Sequence, residues 1–202
     1  MELPTPSEIN SALAHLSYWR VMHVQEALYP YRPISASVML ALGFRETGLR
    51  NICGGARWNG NEWVQAYTDR GWLQISDEID REAKWLATQE GCANGSWIPD
   101  TPAVDALSAM HVPRFSPALD FTKATMLDDM AFATSGGVPS SDLLRFAVAA
   151  HNAGPTGALE GYREGNIDKH TAGGDYSAYV FATAPLVHNW IVAHPNWVYH
   201  HA

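Results

Sequence analysis

Glu46 and Asp69 are the two residues of this chain around which chemistry can be built, and His151 and Asn152 supply polar company further along. Glu46 closes the run SVMLALGFRET, residues 37–47. There Val38, Ala41, Leu42 and Arg45 recur at helical spacing, as do Met39, Leu42 and Gly43 one position over. A helix through these residues puts Glu46 on the side of the apolar stripe, because it follows Leu42 by four and Gly43 by three. Gly48 is then a natural left-handed stop. A carboxyl in the last turn sits near the negative end of the helix dipole and is partly desolvated, and both effects favour the protonated form. A retained proton is what a general acid needs. Asp69 lies in a more polar loop, YTDRGW. One shielded and one solvated carboxyl suit glycosidic bond cleavage, in which the first protonates the leaving oxygen and the second aligns water. A plainer reading stands beside this one: Glu46 pairs with Arg45, Arg50 or Arg70 and only stabilises a helix end, and Asp69 is an ordinary loop aspartate.

The elements that must hold these residues are mostly helical. Pro6-Ser7 precedes a pattern with Ile9, Leu13, Leu16, Val24 and Leu28 on one face, with Ser7 expected as N-cap. Tyr29-Pro30-Tyr31-Arg32-Pro33 breaks it, and the Glu46 helix is expected from about Ser35. Residues 51–72 are rich in Gly and Asn and read as loop with a small hairpin near 63–67. A helical pattern carrying Ile79, Ala83 and Leu86 covers 77–89, and 90–116 is irregular. Ser116-Pro117 opens a helix that stops at Gly136-Gly137. Pro139-Ser140 starts the next, with Leu144, Ala147, Val148 and His151 facing inward and Asn152–Pro155 ending it. A short helix over 156–163 and a polar loop over 164–174 follow. The last helix runs from about Asp175 to His194 with Tyr176, Val180, Thr183 and Val187 on one stripe, and Pro185 is expected to kink or split it.

Length and composition narrow the function classes. A chain of 202 residues fits one domain with a proper core, here taken as 1–202 with an insertion at about 76–116. The net charge of −8 argues against nucleic acid and against anionic membrane surfaces as partners. No apolar run reaches transmembrane length, and MELPTPSEIN has neither a basic nor an apolar signal region. Cys53 and Cys92 make no disulfide framework and are expected as free thiols. The nine histidines show no tight metal pattern, so no metal or cofactor is expected. Eight tryptophans are many, and Trp58, Trp63, Trp72 and Trp97 lie in or near loop-like sequence. Exposed indoles make good platforms for sugars, although for any one of them a core position is the commoner use.

Four segments in order carry a resemblance. RETGLRN (45–51), TDRGWLQIS (68–76), AVAAHNAGP (147–155) and GGDYSAYVFA (173–182) resemble the ordered blocks of goose-type lysozymes and the related soluble lytic transglycosylases. The resemblance covers roughly 35–74 and 143–184. It implies a mainly α, lysozyme-like fold with a small hairpin region. It also implies a peptidoglycan substrate, cut between N-acetylmuramic acid and N-acetylglucosamine. Under it Glu46 matches the catalytic acid, and Asp69 the first of two aspartates that hold the attacking water. Ser76 stands where the second is expected, with Asp77 one step on. Gln74 matches a groove-lining glutamine, His151 replaces the usual Tyr of a Tyr-Asn pair, and Asn152 is kept. Tyr176 aligns with the goose-type tyrosine and Tyr179 with that of the transglycosylases. The expected activity is a muramidase, inverting if Asp69 aligns the water. The alternatives are a transglycosylase using Glu46 alone to form 1,6-anhydro products, and a non-catalytic glycan-binding or phage tail module. A wall-cleaving enzyme with no signal segment resembles a bacteriophage endolysin, monomeric and held in the host cytoplasm until lysis; a virion-associated lysin is the alternative.

Overall fold

A computed structural model of the chain describes residues 2–16, 21, 24–25, 28, 34–49, 53–58, 61, 63–70, 72–76 and 116–194, the strands by backbone alone. The expected helix over 77–89, the irregular stretch up to 115 and Asp77 lie outside the described residues. The cysteine question does too, since the Cys53 side chain and Cys92 are not described.

Helix α1 spans Pro6–Leu16. Its cap is Thr5 and not the expected Ser7: the Thr5 hydroxyl accepts from the Glu8 amide at 3.2 Å, and the Glu8 carboxylate accepts from the Thr5 amide at 2.7 Å. This reciprocal capping box places Pro6 at the first helical position, where its missing N–H costs nothing. The capping bonds hold the Glu8 carboxyl below its ordinary range.

Helix α2, Ala36–Thr47, is the central element. Ser35 caps its start, accepting from the Val38 amide at 3.3 Å. Its end is double-locked. Gly48 and Leu49 both take left-handed φ, 64° and 63°, and their amides bond back to Phe44 and Gly43 carbonyls. Val38 through Gly43 are all buried, so the helix is enclosed on every side and not only along the stripe.

The segment read as loop with a small hairpin carries more strand than expected. β1 (Cys53–Trp58) and β2 (Trp63–Arg70) pair antiparallel, and β3 (Ile75–Ser76) adds to the far edge of β2 in the order β1-β2-β3. The pairing of Asp69 with Ser76 and of Arg70 with Ile75 forces the chain to reverse over residues 71–74. Trp72 and Leu73 fill that reversal and are 1% and 0% exposed.

Helix α3 covers Ser116–Ser135, as the sequence predicts. Helix α4 covers Leu143–Arg163. Its expected start at Pro139-Ser140 is instead a turn, closed by the Asp142 amide on the Pro139 carbonyl at 2.9 Å, because the missing proline N–H and the hydroxyls suit a turn as well as a cap. The expected break at Asn152–Pro155 is present as a kink at Gly154, whose φ and ψ are 72° and 159°. A 3-10 turn, Ala172–Gly174, leads into α5, Tyr176–Ala193. Pro185 does not split α5. It sits exposed, where the lost hydrogen bond is solvated.

The described chain is mainly helical. α2 packs along α5, α3 along α4, and α1 and α4 against α5. The larger core joins Leu13, Met39, Leu42, Trp72, Leu73, Met126, Val148, Tyr176 and Val187, and a smaller one under α4 holds Phe146, Ala158 and Leu159. Among the described residues no helix is long and apolar enough to cross a membrane.

Candidate functional site

Glu46 is where the packing of α2 meets the surface. The helix delivers it in its last turn, with the side chain 16% exposed. Its carboxylate Oε1 accepts a hydrogen bond from the Tyr176 hydroxyl at the start of α5. Tyr176 is 3% exposed, and burial, followed by the adjacent Glu46 charge, pushes its phenol well above the ordinary range. The phenol therefore stays protonated and keeps donating at any physiological pH.

His151, in α4 just before the Gly154 kink, is the second neighbour. Its Nε2 lies 3.2 Å from the Leu73 carbonyl and 4.0 Å from Glu46 Oε1. A carbonyl only accepts, so Nε2 carries the hydrogen. The 72–74 segment is held from two sides, since the buried Thr47 hydroxyl donates to the Trp72 carbonyl at 3.1 Å. The indole lies flat against the glycine of α2. A Cβ built on Gly43 would fall 2.3 Å from Trp72 Cε3. Trp72 is thus a core residue and not a sugar platform. Gln74, next in line, has φ of 48°, a left-handed conformation that side-chain-bearing residues rarely take.

The two tyrosines that the sequence left undecided do different things. Tyr176 donates to Glu46, whereas the Tyr179 ring carries the Arg45 guanidinium 4.6 Å from its centroid. Arg45 also pairs with Asp175 at 3.1 Å, which accounts for one of its expected partners: it faces Asp175 and not Glu46. Asn152 is tied to backbone. Its Oδ1 accepts from the Ala172 amide at 2.7 Å, fixing the 3-10 turn that precedes α5. The side chain of Asp69 lies outside the described residues, and only its backbone, paired with Ser76 in the sheet, is placed.

One residue important for positioning the site escapes sequence reasoning. Asp168 is 2% exposed and caps α5 from outside the helix. It accepts from the Ser177 amide at 2.7 Å, the Ser177 hydroxyl at 2.8 Å and the Ala178 amide at 3.1 Å, with Arg145 3.5 Å away. Asp175, at the formal cap position, makes no side-chain cap bond. Cap signatures are read one to three residues from a helix start, so an aspartate nine positions upstream of Ser177 gives no signal.

A cavity of about 400 Å³ lies elsewhere, lined by Asp142, Arg145, Tyr162, Gly165, Asn166 and Ile167. None of the candidate site residues lines it, so the chemistry is argued from the side chains around Glu46 and not from that hollow. Among the described residues no group of three or more His, Cys, Asp or Glu could hold a metal ion.

Comparisons with family models, with curated proteins and with solved structures find no match for the chain.

Proposed function

We propose that the protein is a peptidoglycan-cleaving glycosidase, a muramidase with Glu46 as proton donor. The observation that carries this reading is convergence. Four sequence segments come together around Glu46 and His151: 45–51 supplies the carboxyl, 147–155 reaches it through His151, 173–182 through Tyr176, and 72–76 touches His151 through the Leu73 carbonyl. They are the segments that resemble goose-type lysozymes and lytic transglycosylases, and a common meeting point is what shared use in one site requires. Gln74 adds support, since a left-handed non-glycine residue costs about 1 kcal/mol and such strained positions cluster at functional sites. The lysozyme-like arrangement of the whole domain belongs to the same proposal.

The chemistry follows from the hydrogen bonds. With Oε1 occupied by the Tyr176 donor, the transferable proton of Glu46 sits on Oε2. Oε2 passes it to the glycosidic oxygen as the bond breaks. The carboxylate left behind is a stronger acceptor than the acid was, so the Tyr176 bond strengthens as charge develops. Such a contact lowers the barrier because it favours the transition state over the ground state. Water held by Asp69 then completes hydrolysis with inversion.

A transglycosylase is the second reading. It is favoured by Ser76 standing where the resemblance expects a second water-holding aspartate. There the muramoyl 6-hydroxyl replaces water and an anhydro ring closes.

Mass spectrometry of purified cell walls digested with the protein tests both. Reducing-end muropeptides are expected, 1,6-anhydro products would select the transglycosylase, and no cleavage would leave a glycan-binding module. Glu46→Gln is expected to fold normally and to release no products. Lytic activity surviving in that variant would overturn the assignment.

A further inference from the structure

Two consecutive residues of α2 meet the cap residue and the first residue of α5. Arg45 pairs with Asp175, and Glu46 with Tyr176, each pair separated by 130 positions in sequence. The guanidinium is half-buried and held by its neighbours. Tyr179 covers one face at 4.6 Å, and the Tyr176 ring lies 5.8 Å away. Gly173 lies close by, where an added Cβ would come within 3.5 Å of the Arg45 Nη2 and 3.2 Å of the Asp175 Oδ1. The backbone there is fixed by Asn152 through the Ala172 amide. Arg45 is therefore not a loose surface cation.

Glu46 has three rotatable bonds, and the Tyr176 hydroxyl meets only one of its oxygens. A single hydrogen bond does not fix a flexible carboxyl. What restricts it is the position of the α2 end relative to the α5 start, because both partners are anchored there. A planar guanidinium gripped by a carboxylate and stacked on a ring sets that position in distance and in rotation, which an ammonium point charge does not.

We propose that Arg45 and Asp175 form a positioning pair that holds the Glu46 carboxyl against the Tyr176 hydroxyl, with no contact of their own to substrate. The claim about wall chemistry in it rests on the reading of Glu46 as proton donor; the claim about coupling does not.

A double-mutant cycle of Glu46→Gln and Tyr176→Phe, read by urea unfolding, measures the coupling between those two residues. It is run in the wild-type and Arg45→Met backgrounds. Expected is a coupling of about fivefold in the folding equilibrium constant in wild type, falling below about twofold with Arg45→Met. A coupling unchanged by Arg45→Met would overturn the proposal, since a merely stabilising ion pair lowers all four corners of the cycle alike. Arg45→Lys, which keeps the charge and is expected to fold if Arg45→Met does not, should lose at least half of the coupling. On solubilised wall fragments Arg45→Met should lower kcat about tenfold at a KM within about twofold of wild type, and a rise in KM alone would count against positioning. If wild type cleaves no wall, the proposed function fails while the cycle still decides the pair.

Discussion

Gly43→Ala is a small change with a calculable cost at the centre of the site. In an open helix the substitution would stabilise by about 1 kcal/mol, because alanine loses less backbone entropy than glycine. Here the new methyl falls 2.3 Å from Trp72 Cε3, 2.6 Å from Cζ3 and 3.1 Å from Leu49 Cδ2. Ordinary carbon contacts begin near 3.5 Å, so the indole must withdraw by roughly 1 Å. Trp72 is 1% exposed and Leu49 2%, so neither has solvent to move into. Overpacking a closed core costs about 1–3 kcal/mol, a clash this deep belongs in the upper half of that range, about 2–3 kcal/mol, and after the propensity gain of about 1 kcal/mol a net loss of about 1–2 kcal/mol remains. For a chain of this size that lowers Tm by about 2–8 °C in a calorimetric scan. Withdrawal of Trp72 also shifts Leu73, whose carbonyl holds His151, so wall cleavage should fall more steeply than stability does. Removing the offending ring checks the cause. Gly43→Ala in a Trp72→Leu background should be neutral or stabilising. A Gly43→Ala protein as stable as wild type, or an unchanged penalty when Trp72 is leucine, would refute the reasoning.

Two further predictions concern buried carboxylates. Asp129 is 5% exposed in α3, and burial, aided by the neighbouring Asp128 charge, raises it to about 6. A carboxyl raised in the folded state binds its proton more tightly there than when unfolded, so stability is full below about pH 4 and is lost as pH rises through about 6. Asp129→Asn should therefore stabilise the fold at pH 7.5 by an amount on the order of 2 kcal/mol, read as a higher Tm, and leave Tm unchanged at pH 4; an equal effect at both values would contradict the burial argument. Asp168→Ala strips the start of α5 of its acceptor and leaves the Ser177 and Ala178 amides unpaired in the interior. A loss of roughly 2–4 kcal/mol is expected from urea denaturation, and a loss under about 1 kcal/mol would show that the cap is dispensable.

Helix α2 was legible in the sequence because every signal there is local. Ser35, the apolar run and Gly48 lie within a few residues of one another and agree. The α4 kink was legible for the same reason, through Asn152–Pro155. Other features depend on what the chain meets far away. The cap of α1 is an exception, since Ser7 lost it to Thr5 for a local reason: Glu8, three residues on, completes a box with Thr5 and not with Ser7. The expected hairpin near 63–67 falls in β2, but the extension of β2 to Arg70 and the whole of β3 were hidden in a Gly- and Asn-rich stretch, since strand pairing at Asp69 and Ser76 is settled by register and not by composition. In the site, type and spacing marked Glu46, His151 and Tyr176, which the fold brings together. They also marked Asn152 as a groove residue, whereas its Oδ1 is used on the Ala172 amide. Asp168 left no trace in the sequence at all, and the division of work between Tyr176 and Tyr179 became readable only with Arg45 in place.

The 130-residue separation of Glu46 from Tyr176 has a consequence for the order of assembly. A ribosome that has made α2 has made a helix whose residues Val38 to Gly43 must be covered on all sides. The helix that covers it most closely, α5, begins 130 residues after Glu46 and is synthesised that much later. Contacts so distant in sequence close late, because the intervening loop has to be gathered first. Until then α2 is an apolar rod in need of shelter, and its carboxyl has no phenol beside it. Glu46 is thus made early and partnered late, so a half-built or truncated molecule carries this carboxyl without the Tyr176 hydroxyl.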